Sequence, residues 1–261
     1  MHPEIKFPGT LPAATTRVVA IIPARFGSTR LPGKPLAEIA GRPMVEHVYR
    51  RVEAASSVEL VVVATDDERI ARAVTAFGGA VRMTRHDHLS GTDRLAEVAG
   101  TLDCDVVVNV QADEPLIEPE MVDAAVSCLQ APEILMSTLR CPLRDTDDLH
   151  DPNVVKVAVD RHGYALFFSR APIGLSRSAG PDTPVPVDKH IGLYAYRRSF
   201  LMTLSDLDPT PLECAERLEQ LRALEHGYRI MTIATAHDPI GVNTPADLDH
   251  VRRLLSTRAS V

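Results

Sequence analysis

Short apolar runs alternate with longer stretches of helical period along most of this chain. Residues 18–24 (VVAIIPA) are apolar and rich in β-branched side chains, the pattern of a strand buried on both faces of a parallel sheet. A loop of glycine, proline and cations follows at 25–35 (RFGSTRLPGKP), and residues 44–55 then take a helical period. Residues 59–65 (ELVVVAT) repeat the buried-strand pattern. Asp66 and Asp67 open a helix running to about Phe77, closed by Gly78 and Gly79. Residues 80–84 predict a third strand, and Thr92 stands where it can N-cap the helix that follows. Residues 105–110 (DVVVNV) predict a fourth strand, which runs into 111–115 (QADEP) and a helix at about 118–130. This alternation predicts an α/β fold, a mostly parallel sheet flanked by helices on both faces. Such sheets bind ligands beyond the carboxyl ends of their strands. The loop after the first strand and the loop after DVVVNV are therefore expected to share one crevice.

The pattern changes in the middle. Residues 154–160 and 164–169 flank Arg161-His162-Gly163, which predicts a β-hairpin. Residues 177–186 (RSAGPDTPVP) read as an exposed loop and 191–197 as a strand. Residues 213–226 predict one helix ended by Gly227, and 228–235 a strand. Thr244, Pro245 and Asp247 open the last helix as N-cap, first-turn proline and third-position acid. The expected organisation is an N-terminal extension over 1–16 and a single domain over 17–261, with about 154–198 forming a smaller β-rich lobe.

Composition narrows the function classes. The chain has 261 residues and is 45% hydrophobic, ample for a real core. A net charge of −7 gives no basic footprint for DNA or RNA, so no nucleic-acid partner is expected. A nucleotide can still be held where cations are gathered locally. Cys104, Cys128, Cys141 and Cys214 form no CxxC pair, which argues against structural zinc and for free thiols in a reducing cytoplasm. The N-terminal stretch lacks the signal-peptide pattern and no apolar run is long enough to span a bilayer, so no membrane partner is expected.

The loop after the first strand concentrates Arg25, Arg30 and Lys34, with Gly27, Ser28 and Gly33 among them. Fixed cations, small residues and free N–H groups are what a polyphosphate needs. A solvated basic loop has the same composition, but its position after a buried strand favours phosphate. Neither the P-loop nor the GxGxxG spacing is present. Asp113, just beyond another buried strand, suits a Mg²⁺ ligand beside substrate phosphates, and serves equally as a turn or helix cap. His190 and Tyr194 lie four positions apart at a strand, where a lone histidine is more often structural. Glu219 and Gln220 sit in the helical stretch and could be solvated. No HExxH or GxSxG occurs, so neither a catalytic zinc nor a hydrolase nucleophile is indicated.

The run from Ile22 to Leu36 (IPARFGSTRLPGKPL) resembles the signature of the CMP-Kdo synthetases, the 3-deoxy-manno-octulosonate cytidylyltransferases. The resemblance continues through 90–95 (SGTDRL), 109–115 (NVQADEP), 153–157 (NVVKV), 168–171 (FSRA), 190–197 (HIGLYAYR), 218–222 (LEQLR) and 241–245 (GVNTP). It implies a Rossmann-like nucleotidyltransferase fold, a cytoplasmic homodimer, and Mg²⁺-dependent transfer of CMP from CTP to a small acidic acceptor with release of pyrophosphate. Pro23, Ala24, Arg25, Ser28, Arg30, Lys34, Arg85, Ser90, Gly91, Thr92 and Gln111 would surround CTP. Arg25, Lys34 and Asp113 would form the catalytic set. Gln111, His190, Tyr194, Glu219 and Gln220 would face the acceptor, and Asp113 with Asn243 would hold the metal.

Three positions depart from the family pattern. Asn243 stands where Asp is usual and removes a charge from the metal site, which Asp238 or Asp247 could compensate. Ala112 stands where Gly is usual, and Gly174-Leu175-Ser176 replaces a proline and an aromatic. Kdo is the acceptor the resemblance implies. The alternatives are phosphonoformate, as in relatives of phosphonate pathways, or a nucleotide-binding protein that has lost catalysis. A glycosyltransferase would need a DxD-like motif, and Asp103-Cys104-Asp105 has that spacing but precedes a strand.

Overall fold

The computed structural model describes residues 16–27, 31–88, 90–143, 145–174 and 187–258. Ser28, Arg30, residues 1–15 of the extension and the loop at 177–186 lie outside the described residues.

The first half builds one parallel unit. β1 (Val18–Ala24) leads through a short hairpin, β2 (Glu38–Ile39) and β3 (Arg42–Pro43), into α1 (Met44–Glu53). β4 (Leu60–Thr65), α2 (Glu68–Ala76), β5 (Ala80–Met83), α3 (Gly91–Gly100), β6 (Val106–Asn109) and α4 (Pro119–Ser127) follow. The second half contains β7 (Met136–Pro142), α5 (Thr146–His150), β8 (Lys156–Val159), β9 (Ala165–Ser169) and β10 (Asp188–Arg197). It ends with α6 (Arg198–Asp206), α7 (Pro211–Glu216), α8 (Gln220–Glu225), β11 (Met231–Ala234) and α9 (Pro245–Arg258).

The main sheet runs β11-β7-β10-β6-β1-β4-β5, and β8 extends it by pairing with both β10 and β9. β1 is parallel to β4 on one side and to β6 on the other. β10 is antiparallel to β6 and to β7. The alternation seen in sequence has a direct outcome in packing. Ala20, Ile22, Val61, Val63 and Val108 pack with Val45, Val48, Ile70, Val74 and Met121 on one face. Val19, Ile21, Val62 and Val107 pack with Leu95, Val98, Phe200, Leu204 and Leu221 on the other. Ile21 and Ile22 have no exposed surface; burial of each stabilises the fold by about 1.5–3 kcal/mol before cavity effects.

After β5 the chain crosses back to place β6 on the opposite side of β1. β1 and β6 are adjacent parallel strands, so the loops leaving their carboxyl ends lie side by side, and residues of both line one crevice. This is the crevice expected from sequence.

Four expectations need correction. Ser90, not Thr92, caps α3: Ser90 Oγ accepts from Asp93 N at 3.0 Å, and the Asp93 side chain accepts from Ser90 N. The helix expected over 213–226 is two helices, α7 and α8, because Arg217 takes φ 53° and ψ 49°. No glycine or proline marks that break. It is held instead by a tertiary contact, the bidentate pair of Arg222 with Glu213 at 2.8 and 2.6 Å. Residues 154–198 do not form one lobe, since β8 and β9 make the hairpin but β10 runs through the main sheet. β7 was not anticipated, because its Ser137 and Thr138 break the apolar run; both are buried and bonded to backbone carbonyls.

Candidate active site

A cleft of about 810 Å³ opens at the carboxyl ends of β1 and β6. The loop after β1 turns back through Gly33, whose N donates to Phe26 O at 3.0 Å and whose φ is 69°. A Cβ at that position would lie 3.1 Å from the Phe26 ring, so both the backbone angle and the space call for glycine. The turn delivers Lys34 into the cleft, where its ammonium pairs with Asp113 Oδ2. Arg25 Nη2 donates to Ser90 O at 2.7 Å and to His88 O at 3.2 Å, tying the β1 loop to the start of α3.

Asp113 is fixed through its own backbone. Val242 N donates to Asp113 O at 2.8 Å, which brings the 241–244 segment alongside. Asn243 thus lines the same cleft as Asp113. Neither candidate for compensating Asn243 is available. Asp247 Oδ2 accepts from Asn243 N at 2.9 Å and Thr244 N at 2.8 Å as a helix cap, and Asp238 pairs with Lys189 at 2.7 Å. Among the described residues no three His, Cys, Asp or Glu side chains converge as a metal cage. A divalent ion here would rest on Asp113 and the Asn243 amide oxygen, with substrate phosphates and water completing its shell, a donor set of hard oxygens that suits Mg²⁺. Glu114 is adjacent: burial, and then the Asp113 charge, push its carboxyl up to about 8.

The other wall carries the remaining candidates. The Glu219 carboxylate stands on the first turn of α3, accepting from Thr92 Oγ1 at 2.6 Å, Thr92 N at 3.2 Å and Gly91 N at 3.3 Å. Free N–H groups at a helix N-terminus favour such an anion. The break at Arg217 is what carries Glu219 and Gln220 into the cleft. Gln220 is buried, and its Nε2 has no hydrogen-bond partner among the described residues. His190 packs edge-on against Phe168 at 4.9 Å and beside Tyr194 at 5.5 Å. Its burial pushes the imidazole down to about 3. Thr138 Oγ1 lies 2.8 Å from Leu193 O and 3.0 Å from His190 Nε2. The single hydroxyl proton goes to the carbonyl, so Thr138 accepts from an Nε2–H tautomer. Burial also raises the Tyr194 hydroxyl well above its usual range.

The structure thus brings Pro23, Arg25, Lys34, Gly91, Thr92, Gln111, Asp113, His190, Tyr194, Glu219, Gln220 and Asn243 to one cleft. Three expected residues, Ala24, Ser90 and Arg85, are not among those lining the cleft. Ala24 is buried at the end of β1. Ser90 Oγ is used as the α3 cap. Arg85 pairs with Asp87 at 3.1 Å with 69% of its side chain exposed. Ala112 causes no strain, because among the described non-glycine residues only Ala40 and Arg217 have positive φ. Asp103 and Asp105 face Arg17 at the opposite end of β6, so they are structural rather than a metal motif. Sequence reasoning missed Asn109, Arg170, Lys189 and Arg217, all of which line the cleft. Asn109, the polar residue ending β6, was the one readable signal. Its Oδ1 accepts from Gln111 Nε2 at 3.2 Å and orients it.

A family profile for cytidylyltransferases matches residues 19–231. The 3-deoxy-manno-octulosonate cytidylyltransferase of Geobacter sulfurreducens is 55% identical over 243 residues, covering 90% of this chain and 97% of its own length. The chain belongs to the 3-deoxy-manno-octulosonate cytidylyltransferase family. The family member from Solibacter usitatus is 52% identical over 239 residues, covering 91% of this chain and 94% of its own. A CMP:2-keto-3-deoxy-manno-octonic acid synthetase solved in complex with CTP is 44% identical with a TM-score of 0.87, over 93% of this chain and 100% of that one. A 4-diphosphocytidyl-2C-methyl-D-erythritol synthase from Anaerococcus prevotii, 13% identical with a TM-score of 0.61, covers 93% of this chain and 99% of its own and shares the fold alone. Among the described residues no helix is long and apolar enough to cross a membrane.

Proposed function

We propose that this enzyme transfers CMP from CTP to 3-deoxy-manno-octulosonate, releasing pyrophosphate. One observation carries the reading. Arg25, Lys34 and Asp113 meet in the crevice at the ends of β1 and β6 of a chain that matches a CTP-bound synthetase along its length.

An oxygen of the acceptor attacks the α-phosphorus of CTP in line. The new O–P bond forms as the bond to the β-phosphate oxygen breaks. Arg25 and Lys34 neutralise the triphosphate, and the Asn109–Gln111 contact orients the Gln111 amide. Mg²⁺, when bound at Asp113, supplies further positive charge to the phosphates. Catalysis is positioning and charge stabilisation, with no covalent step on the protein. The acid lies against His190, Tyr194, Glu219 and Gln220, where Gln220 Nε2, without a partner among the described residues, offers a donor. The relatives' shared name favours octulosonate over phosphonoformate.

The reading includes a cytoplasmic homodimer, as the family resemblance implies; light scattering tests the dimer. The reaction is tested by pyrophosphate release from CTP and Mg²⁺ with the octulosonate, and by the mass of the CMP-linked product. CTP binding without turnover would instead mark the impaired relative that Asn243 brings to mind.

A further inference from the structure

Lys156 opens β8 and has no exposed surface. Its Nζ donates to Arg170 O at 2.6 Å, Val154 O at 2.7 Å and Asp151 O at 3.0 Å. An ammonium has three donors, and all are spent here on neutral carbonyls. Among the described residues no carboxylate pairs with it. A desolvated charge of this kind contributes little as an ion pair, and its partners define a rigid tripod.

The three carbonyls come from two separate segments. Asp151 and Val154 belong to the loop between α5 and β8, and Arg170 follows β9; all three residues line the cleft. Arg170 is held from further directions. Its N donates to Glu216 Oε2 at 2.9 Å, its Nε to Glu216 O at 3.0 Å, and its Nη1 to Pro152 O at 2.9 Å. Lys156 is therefore the node that joins the 151–154 loop, Arg170 and, through Glu216, the end of α7. None of these contacts involves Arg25, Lys34 or Asp113.

We propose that Lys156 is a positioning residue that sets the shape of the acceptor wall without touching either substrate. This rests on the reading that the acid binds on this wall. Without the ammonium, three partly buried carbonyls lose their donor and the two segments separate. The CTP side keeps its own anchors.

Lys156→Met and Lys156→Gln are compared with wild type by pyrophosphate release, varying the acceptor and CTP separately. Wild-type turnover of the octulosonate tests the functional reading on its own, before any variant is measured. In an active wild-type background, Lys156→Met is expected to raise the acceptor KM by about 10–100-fold. The CTP KM should stay within about twofold, and the glutamine, which retains donors, should fall between. An unchanged acceptor KM, or both KM values rising together, overturns the proposal. Failure of both variants to fold also overturns it, in favour of a purely structural lysine.

Discussion

Lys34 Nζ and Asp113 Oδ2 form an ion pair that closes the space between the β1 loop and the end of β6. Their side chains are 15% and 24% exposed, so the pair is partly shielded from solvent but open to the cleft. A triphosphate entering the cleft competes for the lysine, and a divalent ion for the carboxylate. Lys34→Met and Asp113→Asn are each expected to lower kcat by about 10²–10³-fold. The double variant should lose much less than the product of the two, because the residues act as a unit. Steady-state pyrophosphate release checks this, and strictly multiplicative losses would mean that the two groups work independently.

Asn243 contributes no charge beside Asp113, and the nearby Asp238 and Asp247 are committed to Lys189 and to the α9 cap. Asn243→Asp should therefore lower the Mg²⁺ concentration for half-maximal activity, by about tenfold on the basis of ligand charge. Mn²⁺ binding followed by electron paramagnetic resonance offers a readout apart from turnover. Identical metal dependence in the two proteins would place position 243 outside the metal shell.

Glu219 couples the two walls by standing on the N-terminus of α3. Its interaction with the helix end is worth about 1 kcal/mol. Glu219→Gln should accordingly lower the melting temperature by about 2–4 °C. An unchanged melting temperature in calorimetry would show that the carboxylate contributes no net stability.

His190 gives a pH signature. Its folded value is about 3 against 6.5 in its unperturbed state. The unfolded chain therefore takes up a proton across this interval while the folded chain does not. Stability linked to neutral His190 is complete above about 6.5 and declines as pH falls toward 3, by about 1.4 kcal/mol per pH unit at most. His190→Asn should remove that part of the slope. Denaturant unfolding at pH 7 and pH 4.5 measures it, and equal slopes in both proteins would show that His190 is charged in the folded state.

The donor side of the cleft was largely legible because local sequence determines it. A buried strand, a glycine turn and three cations all lie between Val18 and Lys34, and the crevice follows from parallel topology. The opposite wall was less legible because it is assembled from distant segments. Lys189 and Arg170 reach the cleft through pairings of β8, β9 and β10 that apolar periodicity does not encode. The break at Arg217 is invisible to helix-stop rules, since a Glu213–Arg222 contact within the folded protein imposes it. The cap of α3 is ambiguous in sequence for a related reason: hydroxyl residues two positions apart, Ser90 and Thr92, both fit a cap, and the reciprocal Asp93 bond selects Ser90.

β10 has a consequence for the order in which the protein can assemble. It covers the free edge of β6, yet it follows that strand by about 80 residues. At ribosomal speed the β5-β4-β1-β6 unit would wait on the order of ten seconds before its partner emerges. During that interval the row of unpaired N–H and C=O groups from Val106 to Asn109 is a template for another chain. Nascent chains halted before Asp188 should therefore be aggregation-prone and reliant on chaperones, whereas chains released beyond Arg197 should not.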